Sequence, residues 1–126
     1  RSDRERGILE AILEAAPAGI IVADGDGRLV RFNTANEHLW GPAPLSQSVD
    51  EYREWKGWWA DDSPRRGRRL DPEEWAMSRA LMGETVRHDL VEIEPFGAPG
   101  TRRTMMNSGA PVRDATGAVI GAVVVQ

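Results

Sequence analysis

Residues Gly19–Gly41 read GIIVADGDGRLVRFNTANEHLWG, and this stretch decides the fold. Ile20-Ile21-Val22 and Leu29-Val30-Arg31-Phe32 are short apolar runs on either side of Asp24-Gly25-Asp26-Gly27. Glycine supplies the positive φ that a tight hairpin turn needs, and aspartate bonds its own backbone there, so the segment predicts two antiparallel strands. After Phe32 the pattern becomes helical, with Asn33 placed to cap a short helix beginning at Thr34. The far end repeats the device. Met105–Gln126, MMNSGAPVRDATGAVIGAVVVQ, has Asp114-Ala115-Thr116-Gly117 between a strand ending at Val112 and another over Val119–Val125.

Between the hairpins lie helical and polar segments. Gly41-Pro42-Ala43-Pro44 ends the short helix. Leu45–Asp62 carries Tyr52, Trp55, Trp58 and Trp59, and Asp61–Arg69 is polar, arginine-rich and loop-like. Asp71-Pro72-Glu73-Glu74 has the form of a helix start, with a capping aspartate, proline in the first turn and glutamate to close a box. It predicts a helix over Pro72–Met82, stopped by Gly83. Val86–Glu94 alternates as a strand, and Gly97-Ala98-Pro99-Gly100 turns it into Thr101–Val112. At the N-terminus, Ser2 or Asp3 caps a helix reaching about Ala16 before Pro17, with Ile8, Leu9, Ile12 and Leu13 on one stripe. Strand pairs at the two ends with helices between them make an α+β arrangement built on an antiparallel sheet.

The ordered set of motifs resembles a PAS domain. The residues that carry the likeness are the strand ending in Asp24, its D-G turn, Asn33 opening the helix, Gly83-Glu84-Thr85-Val86, and Pro111-Val112-Arg113-Asp114 followed by Gly117 and Val119-Ile120-Gly121-Ala122-Val123. The resemblance implies a PAS-like five-stranded antiparallel sheet with short helices over one face, residues 17–126, preceded by a flanking helix, residues 1–16. It also implies a bacterial, cytoplasmic sensory module cut from a longer signalling protein. Such a module binds a small molecule between sheet and helices, forms a homodimer, or does both, and relays a signal to an output domain of the same polypeptide.

Composition narrows the chemistry. The 126 residues hold no cysteine, so disulfides, thiolate catalysis and cysteinyl–flavin adducts are excluded. Net charge is −4, which argues against a general nucleic-acid binder. The Arg65-Arg66-Gly67-Arg68-Arg69 run is flanked by Asp61, Asp62, Asp71, Glu73 and Glu74, so it reads as a neutralised loop. No apolar run has the length of a membrane span. The chain has no nucleotide-binding glycine loop, no metal-binding His spacing and no nucleophile elbow, so catalysis is not expected of it.

The binding candidates are aromatic. Trp58, Trp59, Trp75, Met77, Met105 and Asn107, with Trp40 beside them, are expected either to line an apolar cavity between helices and sheet or to form an ordinary core. Alternation places Met105, Asn107 and Gly109 on one strand face, and the resemblance turns that face inward. A buried amide there needs a partner from protein, water or ligand. The expected ligand is small, uncharged or weakly acidic, and partly aromatic. Haem and flavin are disfavoured: no histidine lies on the Asp71–Met82 segment, and no residue argues for flavin. Ile8, Leu9, Ile12 and Leu13 are the dimerisation candidates. A ligand-free protein–protein interaction module is the alternative function.

Overall fold

In the computed structural model, which describes residues 2–126, both Asp/Gly hairpins form where the sequence places them. Helix α1 (Asp3–Ala15) precedes β1 (Ile20–Asp24), β2 (Leu29–Phe32) and α2 (Thr34–Trp40). A 3-10 segment, Val49–Glu54, leads into β3 (Lys56–Trp59), and a second, Pro72–Glu74, precedes α3 (Ala76–Leu81). Strands β4 (Val86–Glu94), β5 (Arg103–Arg113) and β6 (Val119–Val125) complete the chain. Among the described residues the sheet has six strands in the order β2-β1-β6-β5-β4-β3, with every neighbouring pair antiparallel.

The additional strand relative to expectation is β3, inside the tryptophan-rich segment. Its four residues are too few for alternation to stand out, and Gly57 interrupts the apolar pattern. Gly57 and Trp59 are buried, while Lys56 is exposed and Trp58 only half-buried. The Asp61–Arg69 loop covers the free edge of β3: the Trp59 amide donates to the Arg68 carbonyl (2.9 Å), and the Gly67 amide to the Trp59 carbonyl (2.7 Å). An uncovered edge of this kind would invite pairing with another chain.

The predicted Pro72–Met82 helix is broken. Asp71 N donates to Glu74 Oε1 (2.8 Å), as the capping motif requires. At Trp75, however, ψ is 147°, and α-helix begins only at Ala76. The break swings the Trp75 ring into the core, where it is 7% exposed. Ser78 Oγ, donating to the Pro72 carbonyl (2.6 Å), holds the two pieces together.

One face of the sheet carries the core. Ile21, Ala23, Val91, Ile93, Met105, Asn107, Gly109, Ala122 and Val124 are buried on it, beneath α2, α3 and the 3-10 segments. The aromatic rings Phe32, Trp40, Trp55, Trp75 and Phe96 meet in a chain of edge-to-face and tilted contacts at 4.6–6.2 Å between centroids. Such pairs contribute roughly 0.5–1.5 kcal/mol each beyond the area they bury. The opposite face leaves Val30, Met106, Ile120 and Val125 exposed.

Candidate functional site

Between the helices and the sheet lies a small cavity of about 40 Å³. Ile21 of β1, Asn107 of β5 and Val124 of β6 form its sheet side, and Trp40 of α2, Trp55, Trp75 and Met77 of α3 its helix side. Tyr52, Leu29, Ala76 and Gln126 complete the lining. The register explains the sheet side: Ile21 lies opposite Val124, and Val124 opposite Gly109, so the three strands present one continuous apolar floor. Gly109 keeps this floor close to α3: a Cβ there would sit 3.1 Å from the Ala76 carbonyl oxygen, a tight contact. Gly57 has the same role under Trp75, whose ring would lie 2.4 Å from an added Cβ.

The lining divides into satisfied and unsatisfied polar groups. Tyr52 OH donates to the Gly27 carbonyl (2.6 Å), and Trp55 Nε1 donates to Ser46 Oγ (3.1 Å). Burial, with the nearby Asp24 charge second, holds the Tyr52 hydroxyl well above the usual phenol range, so it stays a neutral donor. Trp40 Nε1, Trp75 Nε1 and Asn107 Oδ1 have no protein partner, although these residues are 1%, 7% and 3% exposed. Leaving such a group unpaired costs about 1–3 kcal/mol. All three residues belong to the cavity lining.

Of the predicted binding residues, Trp75, Met77 and Asn107 line the cavity, together with Trp40. Met105 is buried on the expected face but does not reach it. Trp59 is buried elsewhere, under the Arg65 guanidinium (3.6 Å to the ring centroid). Trp58 is misplaced by the sequence reading: strand alternation turns it away from Gly57 and Trp59, and Arg102 stacks on it at 3.7 Å. Trp55, Tyr52 and Gln126 are cavity residues the sequence reading missed. Trp55 ends a 3-10 segment, and only the turn of that segment aims it inward.

Three arginines of the Asp61–Arg69 loop are held by protein partners. Arg65 bonds Asp61 (2.7 Å), Arg68 bonds Glu74 (2.6 Å), and Arg69 donates to the Arg53 carbonyl (2.9 Å). Hydrogen bonding from Arg65 holds the Asp61 carboxyl below its usual range.

A polar chain joins the cavity to α1. Gln126 Nε2 donates to Asn36 Oδ1 (2.7 Å) on α2. Asn33, the cap of α2, uses its whole side-chain amide. Oδ1 accepts from Asn36 N (3.0 Å) and Ile20 N (2.8 Å), and Nδ2 donates to the carbonyls of Leu13 (2.8 Å) and Ala18 (3.0 Å). Arg31 adds ion pairs to Glu10 and Glu14, and Thr34 donates to Glu14 (2.7 Å). These contacts fasten α1 although none of its side chains is buried. Of its apolar stripe, Ile8, Leu9 and Ile12 are exposed and Leu13 is half-buried. Among the described residues, no helix is long and apolar enough to cross a membrane.

No curated protein matches the chain. Solved structures do. An RNA-binding light-oxygen-voltage receptor is 25% identical with a TM-score of 0.62, over 97% of this chain and 32% of the receptor, so this chain spans about a third of that protein's length. The PAS domain of an HTR-like protein from Haloarcula marismortui is 19% identical, with a TM-score of 0.56 over 98% of this chain and 92% of that domain. A domain of a sensory box sensor histidine kinase/response regulator from Geobacter sulfurreducens is 15% identical, with a TM-score of 0.59 over 97% of this chain and 93% of that domain. These last two likenesses concern the fold. The family described as PAS fold matches residues 13–125, the span that runs from the end of α1 through the whole sheet, and the chain belongs to that family.

Proposed function

We propose that this domain is the sensory module of a bacterial, cytoplasmic signalling protein, and that it does no chemistry of its own. A small molecule in the tryptophan-lined cavity favours one arrangement of helices against the sheet. The change leaves through α1 and the C-terminal end of β6 towards an output domain of the same polypeptide. One observation carries this reading. Three residues of the cavity lining carry an unpartnered buried polar group, and the lining also includes Gln126, which is hydrogen-bonded through α2 to the residue that fastens α1. Ligand occupancy and the position of α1 therefore share one set of contacts.

The mechanism is a population shift: a ligand moves the equilibrium only by its difference in affinity between two states. Going from 1:99 to 99:1 takes about 5.5 kcal/mol. This reading disfavours flavin and haem. A benzene-sized cavity is already about 150 Å³, and His38 and His88 are both exposed, outside the lining.

A second reading is favoured by the exposed apolar surfaces. Ile8 (51%), Leu9 (42%) and Ile12 (58%) on α1, and Met106 and Ile120 on the outer sheet face, suit a homodimer contact of an interaction module. Two measurements test these readings. Native mass spectrometry of freshly purified protein, with a thermal-shift screen of small molecules, tests the sensor: a retained or stabilising small molecule supports it, and neither counts against it. Sedimentation of the wild type and of Ile8→Glu/Ile12→Glu tests the dimer: a fall from two chains to one supports it, and an unchanged mass refutes it.

A further inference from the structure

Asp89 is a carboxylate on the buried face of the sheet. Val91 and Ile93 are both 0% exposed, and alternation along β4 turns Asp89 to their side. Its side chain is 13% exposed. Two groups meet it there. From α3, Arg79 Nη2 donates to Asp89 Oδ2 (2.5 Å). From β5, Asn107 is its direct cross-strand partner. Opposite residues on one face have Cβ atoms about 4.5–5.5 Å apart, so two side chains as short as these are neighbours.

The hydrogen-bonding inventory of this pair is incomplete. Asn107 Oδ1 is buried without a partner and can only accept. An ionised Asp89 can only accept as well, so the two oxygens have nothing to share. One proton changes that, because a protonated carboxyl has an O–H to give. Arg79 leaves room for it. Its hold on Asp89 is one bond to Oδ2, its Nε has no partner, and no hydrogen bond among the described residues reaches Asp89 Oδ1. Burial is the largest influence on this carboxyl and raises its value. Arg79 and Arg65 oppose protonation, and Glu84 and Asp61 favour it. Arg87 and His88, the preceding residues of β4, are exposed.

We propose that Asp89 and Asn107 form a proton-binding site beneath α3, in which a proton taken from solvent bonds Asp89 to Asn107 Oδ1 and loosens the Arg79 bond that ties α3 to β4. The proton adds to a carboxylate oxygen and cancels its charge. Arg79 keeps Glu84 (3.7 Å) as a counter-charge. Helix α3 carries Ala76 and Met77 of the cavity lining, so protonation acts on that wall whether or not the cavity holds a ligand.

The test is a pH titration of the 126-residue chain labelled with carbon-13 and nitrogen-15, within the range where it stays folded. The Asp89 carboxyl carbon reports its own protonation. The Asn107 side-chain amide reports acceptance of the proton's bond, the Arg79 Nε–H signal reports release, and the Met77 methyl reports the seat of α3. The expected result is that all four move with one midpoint, at higher pH than the Asp114 carboxyl. Asn107→Leu separates the acceptor from simple burial. Losing an acceptor lowers the Asp89 midpoint, by about a twofold to tenfold loss of proton affinity, the worth of one net hydrogen bond. Burial alone makes the midpoint rise in this variant, because leucine is apolar, and so does an amide that had been donating to the carboxylate. Arg79→Met, with no bond to release, leaves the Met77 methyl still while Asp89 titrates. An Asn107 amide that ignores the Asp89 midpoint in the wild type, or a midpoint unchanged or raised in Asn107→Leu, overturns the site. A Met77 methyl that does not move through the wild-type midpoint overturns the link to α3. The wild-type titration decides by itself if Asn107→Leu does not fold.

Discussion

Replacing Asn33 by alanine removes four hydrogen bonds with one substitution. Asn33 is 1% exposed and its amide is fully used: two N–H groups of the chain donate to it, and it donates to two carbonyls. Loss of the helix cap alone costs about 1 kcal/mol. The bonds to Ile20 N–H and to the Leu13 and Ala18 carbonyls add roughly 0.5–1.5 kcal/mol each. The expected loss is therefore about 3–5 kcal/mol, a large share of the 5–15 kcal/mol typical of a domain. For a chain of this length it lowers Tm by roughly 10–20 °C. Urea unfolding measures it as a fall in midpoint at unchanged slope. Asn33→Asp separates the two halves of the role. It keeps both acceptors but sets a carboxylate against the Leu13 and Ala18 carbonyls, so α2 stays capped while α1 is released. Limited proteolysis should then cut within residues 1–16 before the rest of the domain opens. A loss under 1 kcal/mol in Asn33→Ala, or a cleavage rate for Asn33→Asp equal to wild type, would refute the assignment of Asn33 as the fastening point of α1.

Three further outcomes follow from the same geometry. Met105→Ala should cost about 2–5 kcal/mol as a core truncation and leave the affinity of any cavity probe unchanged, whereas Trp58→Ala should cost less in the same urea titration because Trp58 lies on the outer face. Gly57→Ala puts a Cβ against the Trp75 ring, 2.4 Å from it, so the Trp75 indole signal should move and cavity binding weaken, as seen by nitrogen-15 NMR. The acid limb should be governed by carboxyls held below their usual range, among them Glu74, through hydrogen bonding from Arg68, and Asp114, through hydrogen bonding from Thr116. Depressed folded-state values mean their contribution is complete above about pH 4 and is lost as pH falls through those values. Asp89 has the opposite sign, because burial, only partly opposed by Arg79, raises its value. Its contribution grows as pH falls from that raised value towards about 4, and carboxyl NMR titration should show it protonating before Asp114.

The hairpins were legible in the sequence because their turns are chemically explicit: Asp24 Oδ1 accepts from Asp26 N and Arg28 N, and Asp114 Oδ1 accepts from Thr116 N and Ala118 N. Strict alternation along β5 likewise put Asn107 on the buried face. The middle of the chain was less legible, for two reasons. In Trp55-Lys56-Gly57-Trp58-Trp59 the residue type says aromatic core, but which ring faces inward depends on a four-residue strand that only β4 pairing defines. At Asp71–Glu74 the capping chemistry is real, yet the chain gives up the helix at Trp75 because burying that indole outweighs continued helical hydrogen bonding. Gln126 was invisible as a cavity residue, since its reach to Asn36 crosses 90 positions of sequence.

The central claim is that filling the cavity alters the fastening of α1. Amide hydrogen exchange, followed residue by residue with and without a saturating cavity probe, tests it most directly. The account predicts that the probe changes exchange at Ile20, Asn36 and the last turn of α1 near Leu13, together with the cavity-lining residues, while the Asp114–Gly117 turn is unchanged. Saturation of the Trp40 and Trp75 indole signals with no change at Ile20, Asn36 or α1 would contradict it.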